Sequence, residues 1–253
     1  MDKPMALQAI LFDIDGTLID TVDLIVKALD YTYQKHLGVA LPRAELRRLI
    51  GLPLKAQMRY LDDRVAVNIP HELMEADEVA YYKAHRDLER VISEAVQAVR
   101  SAYCKGYATG LVTSKNREEL QITAPKLALD AFVDTIVTSD DTERHKPAPD
   151  PVLKALERLQ AAPSHALYIG DTVFDITCGR AAGVLTAAVA WGAHLPEDLR
   201  AAQPDYYFET PADLLEWVKQ LPIIENHAKA KEDDFRLRDR VAPTGASAGG
   251  DTG

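Results

Sequence analysis

ILFDIDGTLIDT, residues 10–21, decides how the rest of the chain reads. Leu7, Ala9, Ile10, Leu11 and Phe12 make an apolar run that breaks off at Asp13, Ile14, Asp15, Gly16 and Thr17. A short continuous apolar run of this kind marks a strand buried on both faces, as in a parallel sheet. The carboxyl end of such a strand is where α/β proteins place ligands. Two carboxylates two residues apart at one strand tip repel each other unless a proton or a cation compensates them. A divalent metal suits the pair, because hard cations take oxygen ligands. Asp-Gly alone also suits an acidic turn capping the next helix, so the reading depends on what later segments bring to the same rim.

After Thr21 the period changes. Val22, Ile25, Val26, Leu29, Tyr33 and Leu37 recur every three or four residues and predict a helix that Gly38 closes. Segments 42–51, 53–61 and 70–85 are amphipathic in the same way, and nothing between Asp20 and Arg90 has the pattern of a core strand. From Ile92 onward helices and strands alternate. A helix runs to Lys105 and stops at Gly106; strands follow at 107–113, 135–138, 166–170 and 185–190. Helices separate them at 118–127, 151–159 and up to Ala182, and an edge strand at 206–208 precedes a closing helix at 212–221. Such alternation predicts a parallel sheet with right-handed crossovers. The expected architecture is α/β: a Rossmann-like three-layer core from residues 1–19 and 91–222, with an all-helical cap at 20–90 inserted after the first strand. The tail at 223–253 is charged, then small and polar (APTGASAGGDTG), and is expected to be a frayed helix followed by disorder.

At 253 residues the chain can bury a sizeable apolar interior. A net charge of −10 argues against a nucleic-acid surface. It leaves a small anionic substrate open, since a local cation overrides the global sign. Cys104 and Cys178 form no CxxC pattern and are expected to be reduced thiols. No apolar run reaches membrane-spanning length, and no basic segment leads into a long apolar one at the start. The expectation is a cytoplasmic protein, monomer or homodimer, that engages neither nucleic acid nor membrane.

Three later segments carry polar groups to the ends of strands. GLVT delivers Thr113, with Ser114 just beyond; a hydroxyl there can donate to a phosphoryl oxygen or cap the next helix. HKPAPD, residues 145–150, places Lys146 before a proline that fixes the local backbone. GDTVFD, residues 170–175, sets Asp171 at a strand tip and Asp175 in the first helical turn. The two acids can face one site, or Asp175 can simply stabilise the helix N-terminus.

Asp13-Ile14-Asp15-Gly16-Thr17 after an apolar strand resembles motif I of the haloacid dehalogenase-like hydrolase superfamily. Thr113, Lys146 and Gly170-Asp171 with Asp175 follow in the order of that superfamily's later motifs, so the resemblance extends to about residue 222. It implies that Asp13 is a nucleophile, Asp15 a general acid/base, and Lys146 the cation that offsets their charge. It also implies Mg²⁺ held by Asp13, by Asp171 and by the backbone carbonyl of Asp15, with Asp175 orienting a metal-bound water or Lys146. Thr113, Ser114 and the Gly16 turn would bind the phosphoryl oxygens. GLVTSKN and VTSDDTERHKPAPDP are similar to the C1-capped branch that holds phosphoglycolate phosphatases and PpaX-like pyrophosphatases. Asp15 departs from the dehalogenases, which lack it, and Thr17 favours phosphatases over sugar-phosphate mutases, which often carry Val there. The expected activity is Mg²⁺-dependent hydrolysis of a small phosphorylated metabolite, a 2-phosphoglycolate-like ester or pyrophosphate. The alternatives are a hexose-phosphate mutase or phosphotransferase of the same fold, and a catalytically silent binding protein. In the cap, residues 51–55 are the expected specificity loop. Lys55 and Arg59 there would meet a second anionic group, or stay solvated on an amphipathic helix.

Overall fold

Strand β1 (Ala9–Phe12) is the apolar run that opens the chain, and every one of its residues is buried. Ile10 and Phe12 join the hydrophobic cluster on one face of the sheet, Ala9 and Leu11 the cluster on the other. Both faces are covered, which is why the sequence shows no polar alternate. The computed structural model describes residues 7–62, 70–225, 227, 228 and 231.

After β1 come β2 (Ile19–Asp20), α1 (Val22–Leu37), α2 (Arg43–Arg47), α3 (Leu54–Met58), α4 (His71–Ala84) and β3 (Arg90–Val91). The chain continues through α5 (Ser93–Cys104), β4 (Ala108–Val112), α6 (Arg117–Leu127), β5 (Thr135–Val137) and α7 (Asp150–Leu159). It closes with β6 (Ala166–Gly170), α8 (Val173–Ala181), β7 (Leu185–Val189), α9 (Pro196–Ala201), β8 (Tyr206–Phe208) and α10 (Pro211–Gln220). The main sheet runs β5-β4-β1-β6-β7-β8 with every neighbouring pair parallel. Helices α5 and α10 pack on the Ile10 face, α7 and α8 on the Leu11 face, giving three layers. From β1 the chain builds β4 and β5 on one side, then crosses to β6, β7 and β8 on the other. The crevice at the carboxyl ends of β1 and β6 is therefore the switch point where α/β sheets bind ligands.

Helices α1 to α4 gather around a core of their own, in which Leu24, Leu29, Tyr33, Leu46, Met58 and Met74 are buried. The chain leaves the sheet layer and returns to it through an antiparallel pair, Ile19 opposite Val91 and Asp20 opposite Arg90. Sequence reading gave no sign of this pair, because two residues per strand are too few for alternation to show. It also passed over the six-residue helix α9. Gly38, in the left-handed conformation at φ 63°, closes α1 as expected.

The described part of the tail is tied to the core by hydrogen bonds. The Ile224 N–H donates to Lys105 O at 2.8 Å. Lys231 Nζ donates to Tyr107 O and to Asp134 Oδ2, 2.6 Å each. Its charge is thus spent on a partner in the core, which a single-sequence reading cannot see. The small polar end of the tail lies outside the described residues. No described helix is long and apolar enough to cross a membrane.

Candidate active site

Where β1 ends, the Asp13 N–H donates to Ile169 O at 2.8 Å, so the acid sits at the rim between β1 and β6. Lys146 arrives from the loop between β5 and α7, with only 3% of its surface exposed. Its Nζ donates to Asp13 Oδ1 and to Asp175 Oδ1, both at 2.7 Å. Asp171 follows β6, and carboxylate oxygens of Asp13, Asp171 and Asp175 lie within 4.8 Å of one another. Residues from three separate stretches of the chain therefore meet at one point.

The electrostatics follow from three buried acids sharing one ammonium. Burial pushes the Asp13 carboxyl up to about 7, against the pull of Lys146. Asp171 is held well above the usual carboxylate range by burial and by the nearby Asp13 and Asp175. For Asp175 burial acts the same way, but Lys146 and its other hydrogen bonds outweigh it and the carboxyl is lowered. Burial alone would lower the Lys146 ammonium; the Asp13 and Asp175 carboxylates reverse that and raise it. Oxygen donors in excess of cations suit a hard divalent ion.

The three acids are not equivalent. Asp175 is saturated: Oδ1 accepts from Lys146 and from the Tyr168 hydroxyl at 2.8 Å, and Oδ2 from the Thr172 N–H at 3.0 Å and hydroxyl at 2.6 Å. The Thr172 N–H bond and its return, from the Asp175 N–H to the Thr172 hydroxyl at 3.2 Å, form the capping box that starts α8. Asp13 Oδ2 accepts no hydrogen bond from a described residue. Asp171 is fixed by two, from the Thr17 hydroxyl to Oδ1 at 3.2 Å and from the Ala193 N–H to Oδ2 at 2.6 Å. Its carboxylate is walled by glycines: a Cβ at Gly16 (φ +77°) would lie 2.1 Å from Oδ2, and one at Gly192 2.2 Å from it. Asp13 and Asp171 are thus the side chains able to hold a cation, and Asp175 fixes Lys146.

Asp15 faces the cap. Its Oδ1 accepts from the Thr21 hydroxyl at 2.7 Å and lies 3.0 Å from Lys115 Nζ. Lys115 is buried, and its ammonium stands 4.6 Å from the centre of the Tyr82 ring. Burial would lower this ammonium, but Asp15 together with Tyr82 and Glu119 outweighs it and the group is raised well above its ordinary value. Sequence reading passed over Lys115; the signal was a cation two residues beyond the strand tip that delivers Thr113. A cavity of ≈ 40 Å³ touches Asp13, Asp15 and Lys115 and is roofed by Ile50, Leu54 and Tyr82 of the cap. Glu78 of α4 also lines it, 4% exposed and without a hydrogen bond to any described residue. Burial, reinforced by Glu119 and opposed by Lys115, lifts its carboxyl to about 8.

Other expected residues sit differently. Thr113 is buried, and its hydroxyl accepts from the Lys115 N–H at 3.2 Å. Ser114, expected to hold a phosphoryl oxygen, lines the inner cavity, and its hydroxyl donates to Gly51 O of the cap at 2.6 Å. Lys55 and Arg59 are not at the inner cavity. They line an outer cleft with Asn116, Ser139 and His145, because α3 turns Gln57 and Met58 inward and leaves Lys55, and Arg59 just past its end, exposed. Of the expected specificity loop, Gly51, Leu52 and Leu54 reach the inner cavity.

Residues 10–189 match the family described as haloacid dehalogenase-like hydrolase. The chain belongs to that family, and is a hydrolase. It is 35% identical over 212 residues to the pyrophosphatase PpaX of Anoxybacillus flavithermus, covering 83% of this chain and 96% of that protein. The pyrophosphatase PpaX of Bacillus cereus is 34% identical over 222 residues, 88% of this chain and 98% of its own length. Among solved structures, a hydrolase from Pseudomonas syringae superposes with a TM-score of 0.77 over 85% of this chain and 99% of that one. At 23% identity that likeness speaks for the fold alone.

Proposed function

We propose that this hydrolase is a Mg²⁺-dependent phosphohydrolase cleaving pyrophosphate, or a phosphomonoester as small as 2-phosphoglycolate, through an aspartyl phosphate on Asp13. The observation that carries the reading is the arrangement around Asp13: one oxygen is held by Lys146, and Asp171 lies on one side. Asp15, paired with Lys115, opens onto the same cavity as Asp13.

In this reading Asp13 Oδ2 attacks phosphorus in line, and the bond to the leaving oxygen breaks as Asp15 supplies its proton. Asp15 then takes a proton from the water that hydrolyses the acyl phosphate, releasing phosphate and restoring Asp13. Lys146 keeps the Asp13 carboxylate from repelling an anionic substrate, and Asp175 keeps Lys146 in place. Mg²⁺, held by Asp13, Asp171 and the Asp15 backbone carbonyl, would supply charge neutralisation for the phosphoryl group. Lys115 meets the leaving group, next to the acid that protonates it.

Size supports a small substrate. A cavity of ≈ 40 Å³ takes about three waters, at roughly 10–15 Å³ of such volume each. A second phosphate or a two-carbon acid suits that space. The pyrophosphatase relatives support the same choice, and the free cysteines Cys104 and Cys178 support action in the cytoplasm.

The test is phosphate release from pyrophosphate, 2-phosphoglycolate and p-nitrophenyl phosphate, with and without Mg²⁺. Hydrolysis in its presence only is expected. Lys115→Met should raise KM for pyrophosphate about 10–100-fold, the equivalent of one charged hydrogen bond at ~1.5–3 kcal/mol. A smaller change is expected for p-nitrophenyl phosphate, whose leaving group carries no second phosphate. Equal effects on both would contradict the role given to Lys115, and phosphate appearing on an acceptor rather than in solution would favour a phosphotransferase.

A further inference from the structure

Arg47, on the cap helix α2, reaches across to the loop between β7 and α9. Its Nη2 donates to Gly192 O at 3.0 Å and its Nε to Ala193 O at 2.9 Å. The other ends of the same two peptide groups face Asp171. The Ala193 N–H, in the peptide whose carbonyl is that of Gly192, donates to Asp171 Oδ2 at 2.6 Å. The His194 N–H, in the peptide whose carbonyl is that of Ala193, donates to the Asp171 main-chain O at 3.4 Å. One guanidinium fork is therefore joined to one aspartate through two consecutive peptide groups. The Ala193 methyl is also part of the apolar core formed by α1 to α4.

We infer that Arg47 is a positioning residue that couples the placement of the cap to the cation-holding carboxylate of Asp171. A cation on a peptide carbonyl polarises the unit and strengthens its N–H as a donor. Two carbonyls held by one rigid fork also fix both peptide planes, so both N–H groups stay aimed at Asp171. Gly192 leaves no room for slack, since its Cα lies hard against the carboxylate. When the cap moves away, Arg47 goes with it. The two peptides then lose the contact that fixes their planes, and the Ala193 N–H is a weaker, less firmly aimed donor to the carboxylate. The site in this account binds its cation best with the cap in place, which ties metal affinity to closure over the substrate.

The inference rests on reading Asp171 as a cation ligand, and the experiment separates the two. Mg²⁺ binding is measured by titration calorimetry without substrate for the full chain, Arg47→Ala, Arg47→Lys and Asp171→Asn. Melting temperatures are recorded in metal-free buffer. Partners one shell out from a metal typically change its affinity 10–100-fold. Arg47 stands one group further out, so Arg47→Ala should weaken Mg²⁺ about tenfold with little change in metal-free melting temperature. Arg47→Lys should recover only part of this, since an ammonium does not reproduce the fork. Unchanged Mg²⁺ affinity in Arg47→Ala, with binding lost in Asp171→Asn, would overturn the coupling and leave the site. Mg²⁺ affinity unchanged in Asp171→Asn would remove the site reading and the coupling together. If Arg47→Ala does not fold, Arg47→Lys decides, and wild-type affinity in it would overturn the coupling.

Discussion

Lys146 is the residue on which the charge balance turns. It is the shared partner of Asp13 and Asp175, and removing one partner of a buried ion pair typically costs about 3–5 kcal/mol because the other is left uncompensated. Lys146→Met should therefore abolish turnover and lower stability by about that amount, read by urea unfolding near neutral pH. A loss below ~1 kcal/mol would mean that the acids do not depend on Lys146. Asp13, Asp15, Lys146 and Asp171 stood out in the sequence because each lies where an apolar strand or a Lys-Pro turn ends. Lys115 and Arg47 did not, for a physical reason. What matters about them is which peptide, ring or carboxylate they meet across the cap boundary, and a single sequence carries no record of that. For Lys55 and Arg59 the charge was legible, but the side of a five-residue helix on which it falls was not.

At the scale of elements, Ser114 to Gly51 O at 2.6 Å is one of the polar contacts that join cap and core, with those of Arg47 and the pair of Lys83 and Glu118. A neutral hydrogen bond is worth about 0.5–1.5 kcal/mol net. If its role is to hold the cap down, Ser114→Ala should raise KM by about two- to tenfold and leave kcat nearly unchanged. A large fall in kcat at constant KM would instead show Ser114 bound to the transferring phosphoryl group. The long helices and core strands were legible because each presents several turns or several buried positions. α1 was readable to its Gly38 stop, and β6 from ALYIG alone. The pair β2 and β3 was not, although it carries both chain crossings between sheet layer and cap, because pairing rather than pattern defines it.

For the whole molecule, Glu78 links the cap to pH. Its carboxyl rises from 4.5 to about 8 on folding. Between those values the folded protein keeps a proton that the unfolded chain has released, so stability is full below the lower value and falls as pH rises to the upper one. Glu78→Gln removes the ionisable group at similar shape. Its melting temperature should match the wild type near pH 4 and exceed it at about pH 9. A variant that parallels the wild type across that range would show that Glu78 carries no such proton.

If hydrolysis passes through an aspartyl phosphate, Asp13 is covalently phosphorylated during turnover, and the modification can be read directly. Enzyme turning over pyrophosphate with Mg²⁺ is quenched and treated with borohydride, which reduces an acyl phosphate but not a free carboxylate, and the peptide spanning residue 13 is examined by mass spectrometry. Homoserine is expected in place of Asp13, dependent on substrate and metal. An active enzyme whose Asp13 is recovered unchanged, or which yields homoserine at another aspartate, would contradict it.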